Sequence, residues 1–313
     1  MQYKPTYFKN LPLSGILAKD GDNPPYVFSD DIVIALDVAL ATDRPLLVSG
    51  KPGCGKSRLA DAAAAVQGWN FLGRTITSRT RLEELTVEVD QLRRLNDVQV
   101  WKSKSSMKPD QAYHNPGIFW WAFNPDSARR RGLAEKQAGE LGVALDYIGM
   151  ARDQNQGVVL LIDEIDKAEP DLPNDLLEPL DRRRFSLPDG GKIEAASDLK
   201  ILTIITTNGE RELPQAFLRR CVTLELPEPR DHELVTIALQ HYPEGNPTRI
   251  EAIAKRIIAF RTEAANLRRR PPGTGEFLDA IRACEELDIE VSNEPESLWI
   301  KIEKAVLLKT PRI

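Results

Sequence analysis

The amino-acid sequence predicts an α/β fold with a parallel sheet, followed by a small domain built of helices. Apolar runs of strand length alternate with helical patterns as far as about residue 230, and this alternation is typical of a parallel sheet covered by helices. Beyond that point the strand patterns stop and further helical patterns follow. A glycine-rich turn joins an early strand to the next helix, as in many α/β proteins. We therefore expect two domains.

We predict three regions along the 313 residues of the chain. Residues 1–28 carry four prolines and are expected to form an extended lead-in. Residues 29–230 are expected to form the α/β core, and residues 231–313 a helical lid domain. A chain of this length is too long for one small core, which supports the division.

The overall composition argues against several classes of protein. Lys and Arg number 42 and Asp and Glu number 47, giving a net charge of −5. This balance argues against extensive coating by nucleic acid, while a local basic surface stays open. Three cysteines and three histidines are scattered, so neither a disulfide framework nor a zinc site is indicated. The sequence shows no apolar signal core and no run of membrane-spanning length, so we expect a cytoplasmic protein with no membrane partner.

The first predicted helix follows the lead-in. Ser29 or Asp30 can serve as its N-cap, and the residues after them show helical periodicity. A second helix is predicted from Lys56 to about Val66. The predicted apolar face of the first helix consists of Ile32, Ala35, Leu36, Val38 and Leu40.

Four apolar runs predict strands of the core sheet. They are PLLVSG, WNFLGRTI, GVVLLIDEIDK and LKILTIITTN. The third run is almost continuously apolar, as expected of a parallel strand covered on both faces. Residues 78–157 give no single clear pattern and contain an aromatic run, IFWWAF. We interpret this run as core packing, with base stacking as the alternative.

The glycine-rich turn, residues 50–57, fits the pattern G-x-x-x-x-G-K-[ST], and we call it the P-loop. Glycines let backbone N–H groups turn inward around phosphates, Lys56 adds a positive charge, and the Ser57 hydroxyl suits Mg²⁺. A buried strand precedes the P-loop and a helix follows it, which favours a phosphate site over a plain turn. We interpret Cys54 as a small spacer, with a reactive role as the alternative. The candidate nucleotide-binding residues here are Gly50, Pro52, Gly53, Cys54, Gly55, Lys56, Ser57 and Arg58.

Two acidic residues follow the third predicted strand. Asp163 can hold Mg²⁺ and contribute to nucleotide binding, and Glu164 can polarise an attacking water molecule. Asn208 ends the fourth strand and can reach a phosphate or that water, although an asparagine before Gly209 also suits a turn. Such residues are common at strand ends, but after a P-loop they favour a site for ATP and Mg²⁺.

These motifs together resemble those of AAA+ ATPases. GKPGCGKS resembles Walker A, VVLLIDEID Walker B, TTN sensor 1, and LPQAFLRRC the segment that carries an arginine finger. Within that superfamily the chain is most similar to MoxR-type ATPases over about residues 25–285. The supporting segments include NPGIFWWAF, LIDEIDKAEPDLPNDLLEPLDRRRFSLPDGG and RRPPGTGEFLDAIRA. The resemblance implies a P-loop NTPase of the AAA+ type, an α/β sandwich followed by a helical lid.

The resemblance also implies a ring of identical subunits, usually a hexamer, with ATP between neighbours. Arg219 and Arg220 would then reach the neighbour's γ-phosphate, and both are candidate catalytic residues beside Glu164 and Asn208. The two arginines could instead be a surface charge pair at a helix end.

At sensor 2 the sequence departs from the AAA+ pattern, which has an arginine at the start of a lid helix. Glu276 stands near that place. Arg270, or Arg269 beside it, is the candidate replacement for binding nucleotide. A basic loop before two prolines is the alternative.

The AAA+ branch that the chain resembles carries an insertion in the helix after the second strand, and residues 84–116 fit it. Trp101, Met107 and Tyr113 are large apolar groups in this otherwise polar stretch. They either grip a partner or pack the insertion onto its own body.

The expected function is ATP hydrolysis that remodels or activates a partner protein. MoxR-type ATPases commonly work with a von Willebrand factor A domain protein, which is the partner that the resemblance implies. A nucleic-acid motor of a McrB-like restriction or defence system is one alternative. A nucleotide-binding regulator or scaffold without turnover is the other, and the intact pair Asp163 and Glu164 argues against it.

Overall fold

The computed structural model describes residues 3–12, 14–17, 25–100, 108–138, 157–266, 270–292 and 294–307. Within these ranges the strands are β1 (Ile16–Leu17), β2 (Tyr26–Val27), β3 (Leu46–Ser49), β4 (Asn70–Thr75), β5 (Val87–Val89), β6 (His114–Pro116), β7 (Val158–Asp163), β8 (Arg184–Ser186), β9 (Lys192–Glu194), β10 (Ile201–Thr207) and β11 (Val222–Glu225). The α-helices are α1 (Asp30–Thr42), α2 (Lys56–Gln67), α3 (Leu82–Leu85), α4 (Gln91–Val100), α5 (Ile118–Phe123), α6 (Pro125–Arg129), α7 (Glu135–Ala138), α8 (Leu172–Asp175), α9 (Leu177–Arg182), α10 (Gln215–Leu218), α11 (Asp231–His241), α12 (Pro247–Asn266), α13 (Thr274–Glu286) and α14 (Leu298–Ile302).

A parallel sheet with the strand order β11-β3-β10-β7-β4 forms the centre of the fold. The four predicted strands correspond to β3, β4, β7 and β10 of this sheet, so the α/β prediction is confirmed. The register pairs Ser49 with Thr207 and Thr75 with Asp163, and it places Thr206 beside Asp163 by pairing Ile205 with Ile162. The carboxyl ends of β3, β7 and β10 therefore meet at one edge, where α/β proteins bind ligands.

Strand β11 was not among the predicted strands. It pairs with β3 at one edge of the sheet, and Leu224 is the single buried side chain among its four residues. A short edge strand with one buried side chain shows neither a continuous apolar run nor an extended alternation, which explains why the pattern was missed.

Apolar layers cover both faces of the sheet. Along β3, Leu47 faces the layer that contains the aromatic helix α5, and Val48 faces the layer of α1 and α2. All six side chains of α5 are buried, and Trp120 is fully enclosed at 0% exposure. The aromatic run is therefore part of the core, as interpreted from the sequence.

Helix α1 begins where predicted, but its buried face differs. The Ser29 side chain caps it by accepting a hydrogen bond of 3.3 Å from the backbone N–H of Ile32. Val38 was predicted on the apolar face, yet it is 41% exposed, whereas Val33 and Ala39 are buried. Successive residues are 100° apart around a helix, so position 38 points away from the face through positions 32, 36 and 39.

The lead-in packs onto the core instead of only preceding it. Phe8 and Leu11 are buried beside α1 and α2. Asp37 of α1 is 3% exposed and accepts hydrogen bonds from the Tyr3 hydroxyl and from the backbone amides of residues 6–8. Strands β1 and β2 then pair antiparallel, and Tyr26 of β2 lies next to Gly55 of the P-loop.

Helices α11–α14 follow the sheet and enclose a core of their own. Leu234, Ile253, Phe277 and Trp299 are each 0% exposed within it. The helical C-terminal part is therefore present, while the domain boundary at residue 230 stays a prediction. No helix in the described ranges combines the length and the apolar character that a membrane crossing requires.

The segment predicted to be an insertion, residues 84–116, contains an antiparallel pair of strands. Strand β5 pairs with β6, and α4 lies between them in sequence. Tyr113 is 1% exposed and its hydroxyl donates to Asp97 at 3.0 Å, so it packs within the insertion. Trp101 and Met107 lie outside the described residues.

Candidate nucleotide-binding site

The P-loop lies between β3 and α2, at the ligand-binding edge of the sheet. Gly50 and Gly53 have φ angles of +153° and +83°. A Cβ atom on Gly50 would lie 2.6 Å from the carbonyl oxygen of Leu226, and one on Gly53 would lie 3.3 Å from Gly273. Only glycine fits this path without strain. Helix α2 starts from Gly55 without a side-chain cap or an acidic first turn, so its end suits an anion.

Lys56 lies inside the P-loop with 6% exposure. Its ammonium group donates to the carbonyl oxygens of Gly50 and Lys51 at 2.6 and 3.0 Å and to Asn208 Oδ1 at 2.8 Å. The backbone thus aims this charge at the centre of the loop. A buried ammonium group in this position suits phosphate oxygens.

Asp163 is the acceptor for two hydroxyl groups. Ser57 Oγ donates to Asp163 Oδ1 at 2.7 Å, and Thr206 Oγ1 donates to the same oxygen at 2.6 Å. A hydroxyl beside a carboxylate fits Mg²⁺, which prefers oxygen ligands and retains several waters. Among the described residues no group of three or more His, Cys, Asp and Glu side chains is arranged for a metal, so phosphate and water oxygens would complete such a site.

Glu164 adopts a left-handed backbone conformation directly after β7, with φ 60° and ψ 49°. Its N–H donates to Thr206 Oγ1 at 2.9 Å, which fixes the turn to the neighbouring strand. Its carboxylate accepts from Asn208 Nδ2 at 3.3 Å and from Lys167 Nζ at 2.5 Å. The carboxylate is therefore held near the P-loop by two donors.

Asn208 connects the two halves of the site. Its oxygen accepts from Lys56 and its nitrogen donates to Glu164, so it does more than form a turn before Gly209. Asp166, 2% exposed, accepts from the backbone amides of Asn208 and Glu210 at 3.1 and 3.0 Å. Asp166 and Thr206 thus position the predicted residues, and neither is a site residue predicted from the sequence.

The two candidate finger arginines differ in their surroundings. Arg220 binds the Asp181 carboxylate and donates to the carbonyl oxygen of Ala216 at 2.9 Å. The Arg219 side chain is exposed, and in the described ranges no hydrogen bond or ion pair joins it to another residue. Arg44 donates to the backbone carbonyls of both arginines. Neither arginine contacts the P-loop of its own chain through these interactions.

The start of lid helix α13 touches the P-loop. The Thr274 N–H donates to the carbonyl oxygen of Gly53 at 3.2 Å. Glu276 accepts from the Gly273 N–H at 3.0 Å and pairs with Arg270 at 3.2 Å. The Arg270 side chain is 66% exposed, so the structure places this candidate in a surface ion pair. Arg269 lies outside the described residues.

Three further candidate residues of the P-loop region are Arg58, Pro52 and Cys54. Arg58 pairs with Asp61 along α2 at 2.6 Å. Burial raises the pKa of the Asp61 carboxyl, and the nearby Asp163 adds to this rise. Pro52 is exposed. Burial also raises the pKa of the Cys54 thiol, which fits the interpretation of Cys54 as a spacer better than a reactive thiolate.

Tyr26 of β2 is a neighbour of the P-loop that was not predicted from the sequence. Its ring would meet a Cβ atom on Gly55 at 3.6 Å, and it packs edge-on against Phe28 with ring centroids 4.9 Å apart. Burial raises the pKa of the Tyr26 hydroxyl. The lead-in therefore supplies an aromatic wall behind the P-loop, a contact that no local motif reveals.

The chain is similar to known proteins of a family that carries a nucleotide-binding domain. Residues 45–221 match the AAA domain (dynein-related subfamily), which is more than half of the 313 residues. The Lon protease of Heliobacterium modesticaldum (strain ATCC 51547 / Ice1) is 34% identical over 121 residues. That match covers 37% of this chain and 15% of the protease. Together with the P-loop and the parallel sheet, the family match shows that the chain belongs to the AAA domains of the dynein-related subfamily, and so to the AAA+ ATPases.

Proposed function

We propose that the protein hydrolyses ATP with Mg²⁺ at the site between the P-loop and the ends of β7 and β10. The observation that carries this proposal is the position of Asn208 between Lys56 and Glu164. One amide group joins the charge suited to bind phosphate to the carboxylate suited to activate water. Positioning and charge placement of this kind account for most of the catalysis of phosphoryl transfer.

Each residue of the site has a distinct task in this reaction. The P-loop amides and Lys56 bind the phosphates, and Ser57 with Asp163 would hold the metal. Mg²⁺, when bound, neutralises charge on the phosphate oxygens. Glu164 accepts a proton from the attacking water while Asn208 orients it. Lys167 holds the second oxygen of Glu164 and so limits the directions that the carboxylate can take.

The proposed active form is a ring, a hexamer by resemblance to other AAA+ proteins, in which one subunit completes the site of the next. Arg219 is the better candidate for the residue supplied in trans, because it is exposed while Arg220 is bound to Asp181. An arginine supplied in this way stabilises the charge on the transferring phosphoryl group.

The proposed output is MoxR-like remodelling or activation of a partner protein. Helix α4 of the insertion supports a protein partner, since Leu92, Leu95 and Val98 are 76%, 56% and 46% exposed. These residues form an apolar stripe at helical spacing, and such a stripe suits a protein surface better than a phosphate backbone. A von Willebrand factor A domain protein is the partner we propose to test first.

Turnover measurements test the proposed hydrolysis. Glu164→Gln should bind the fluorescent analogue mant-ATP as the wild type does, while phosphate release falls by a factor of about 10² or more, because general-base catalysis contributes roughly that much. Glu169→Gln, an exposed neighbour, is the matched control and should keep its turnover. Wild-type turnover in Glu164→Gln would overturn the catalytic assignment, and a wild type that binds but never hydrolyses would favour the regulator alternative.

A second measurement separates the two kinds of partner. Glu164→Gln, used as a trap, should retain a protein that stimulates wild-type turnover when purified and added back. Stimulation by DNA that falls steeply with salt would instead favour a McrB-like motor.

A further inference from the structure

An arginine with little exposed surface lies where the lid joins the α/β core. Arg261 stands on α12, and its side chain is only 9% exposed. Its Nη1 donates to the carbonyl oxygen of Pro229 at 2.6 Å, just before α11 begins, and its Nε donates to that of Pro272 at 3.0 Å, just before α13. One guanidinium group therefore ties together the two chain segments that enter the lid helices.

The same guanidinium faces a carboxylate that it shares with the P-loop. Glu228 Oε1 lies 3.9 Å from Arg261 Nε, and Glu228 Oε2 lies 2.8 Å from Lys51 Nζ. Lys51 is a P-loop residue whose carbonyl oxygen accepts from Lys56. A line of charges, formed by Arg261, Glu228 and Lys51, thus runs from α12 to the P-loop.

Backbone contacts run beside this line of charges. Pro272, which Arg261 binds, is followed at once by Gly273 and Thr274, and the Thr274 N–H donates to the Gly53 carbonyl oxygen at 3.2 Å. Arg261 thus holds the segment that brings α13 against the P-loop. Burial lowers the pKa of Arg261, and Glu228 and Glu276 counteract this effect.

One nitrogen of the Arg261 guanidinium donates no hydrogen bond in the described part of the chain. Its Nη2 is buried and has no hydrogen-bond acceptor within the described part of the chain. A buried guanidinium nitrogen without an acceptor costs free energy. Arg270, by contrast, forms an exposed pair with Glu276.

We propose that Arg261 is a positioning residue that latches the lid to the P-loop through Glu228 and so sets the rate at which nucleotide leaves the site. This inference rests on the proposed function, because it concerns the release of nucleotide from the same site. A closed lid keeps Thr274 against Gly53. Loss of the latch lets α13 move away and opens a path along the P-loop.

The test compares four single variants and one double variant in the full chain. Arg261→Met removes the charge and the donors, Arg261→Lys keeps the charge but cannot reach both carbonyls, and Glu228→Gln removes the shared charge at constant size. Arg282→Met is the matched control, since Arg282 of α13 is 61% exposed and pairs with Asp279 in its own helix. Release of mant-ADP is followed by stopped-flow fluorescence after a chase with ADP.

Arg261→Met and Glu228→Gln should each release mant-ADP about tenfold faster than the wild type, Arg261→Lys should fall between, and Arg282→Met should match the wild type. The double variant Arg261→Met/Glu228→Gln should be no faster than the faster single variant, because both changes break one latch. Unchanged release in both single variants, or multiplied effects in the double variant, would overturn the proposal. If Arg261→Met does not fold, Glu228→Gln decides alone.

Hydrogen exchange at the Thr274 amide provides a second readout that does not require bound nucleotide. Exchange should be at least several-fold faster in Glu228→Gln and Arg261→Met than in the wild type, because the hydrogen bond to Gly53 opens more often. Unchanged exchange would contradict the latch even if nucleotide binds normally. A wild type that binds no nucleotide would defeat the proposed function, while faster exchange in the variants would still support the latch.

Discussion

Ser57 and Asp163 lie 106 positions apart in the sequence, yet the Ser57 hydroxyl donates a hydrogen bond of 2.7 Å to Asp163 Oδ1. The parallel sheet causes this meeting, since β3 leads into the P-loop and β7 ends at the same edge. Two oxygen atoms suited to Mg²⁺ are therefore brought together before any metal is added.

Removing the Ser57 hydroxyl should weaken the use of Mg²⁺. We expect Ser57→Ala to raise the Mg²⁺ concentration for half-maximal turnover about tenfold, because the loss of one charge-assisted contact of about 1.4 kcal/mol changes an equilibrium by that factor. The measurement is a Mg²⁺ titration of phosphate release at saturating ATP. Ser186→Ala, at an exposed site on β8, should leave the titration curve where it is.

Mixed rings can identify the arginine supplied in trans. Arg219→Ala should lose turnover by a factor of about 10³ or more while it still binds mant-ATP. Arg219→Ala mixed with Glu164→Gln should recover part of the turnover that both lack alone, since an intact Glu164 then meets an intact Arg219 at some interfaces. No recovery on mixing, with both variants assembled, would speak against supply in trans.

Arg220 gives the comparison for that experiment. Its bond to Asp181 leads us to expect that Arg220→Ala keeps most of the turnover and changes thermal stability instead. The reverse pattern, with Arg220→Ala inactive and Arg219→Ala active, would exchange the roles of the two residues.

Asn208 can be tested with an isosteric change. Asn208→Asp retains an acceptor for Lys56 but places a carboxylate against Glu164 where a donor stood. We expect phosphate release to fall by a factor of about 10², with mant-ATP affinity reduced far less, because the like charges displace Glu164. Asn174→Asp, at an exposed site on α8, is the control. Equal losses in affinity and turnover would show that Asn208 serves binding alone.

The Cys54 thiol provides a test based on pH. Burial raises its pKa, so the reactive thiolate is scarce at neutral pH and increases as the pH rises toward that pKa. We expect alkylation by iodoacetamide to be slow at pH 7 and to accelerate about tenfold per pH unit. Nucleotide should slow it further, because Cys54 lies within the P-loop.

The other two cysteines serve as internal controls for this experiment. Burial raises the pKa of Cys221 to about 12 and that of Cys284 to about 11, so both should react only after unfolding. Fast alkylation of Cys54 at pH 7 that nucleotide does not affect would contradict the predicted environment of this thiol.

Local motifs at the ends of strands revealed several parts of the site. The P-loop, Asp163, Glu164 and Asn208 each end or follow a strand, and parallel strands bring their carboxyl ends to one edge. Their convergence could therefore be expected from pattern alone. Strand β11 could not, because an edge strand with one buried side chain leaves a weak pattern.

Other parts of the site depend on contacts between distant segments. Thr206 lies inside an apolar strand and gains its role only because β10 pairs with β7 beside Asp163. Tyr26 comes from the lead-in, and Arg261 from the middle of a lid helix. Tyr26 and Arg261 belong to no recurring local pattern, and for Thr206 the TTN motif does not indicate the contact with Asp163, so only the packing of the whole chain places them near the P-loop.

Glu164 adopts a left-handed backbone conformation, so a substitution at this position can raise the stability of the fold and lower its activity at the same time. For a residue other than glycine, this conformation costs roughly 1–2 kcal/mol of conformational free energy, and asparagine tolerates it better than glutamate does. Replacing Glu164 by asparagine should therefore raise the melting temperature and remove the carboxylate that activates water. A thermostability screen without an assay of turnover would select against catalysis here, so variants with higher melting temperatures should be sequenced at this codon before any other.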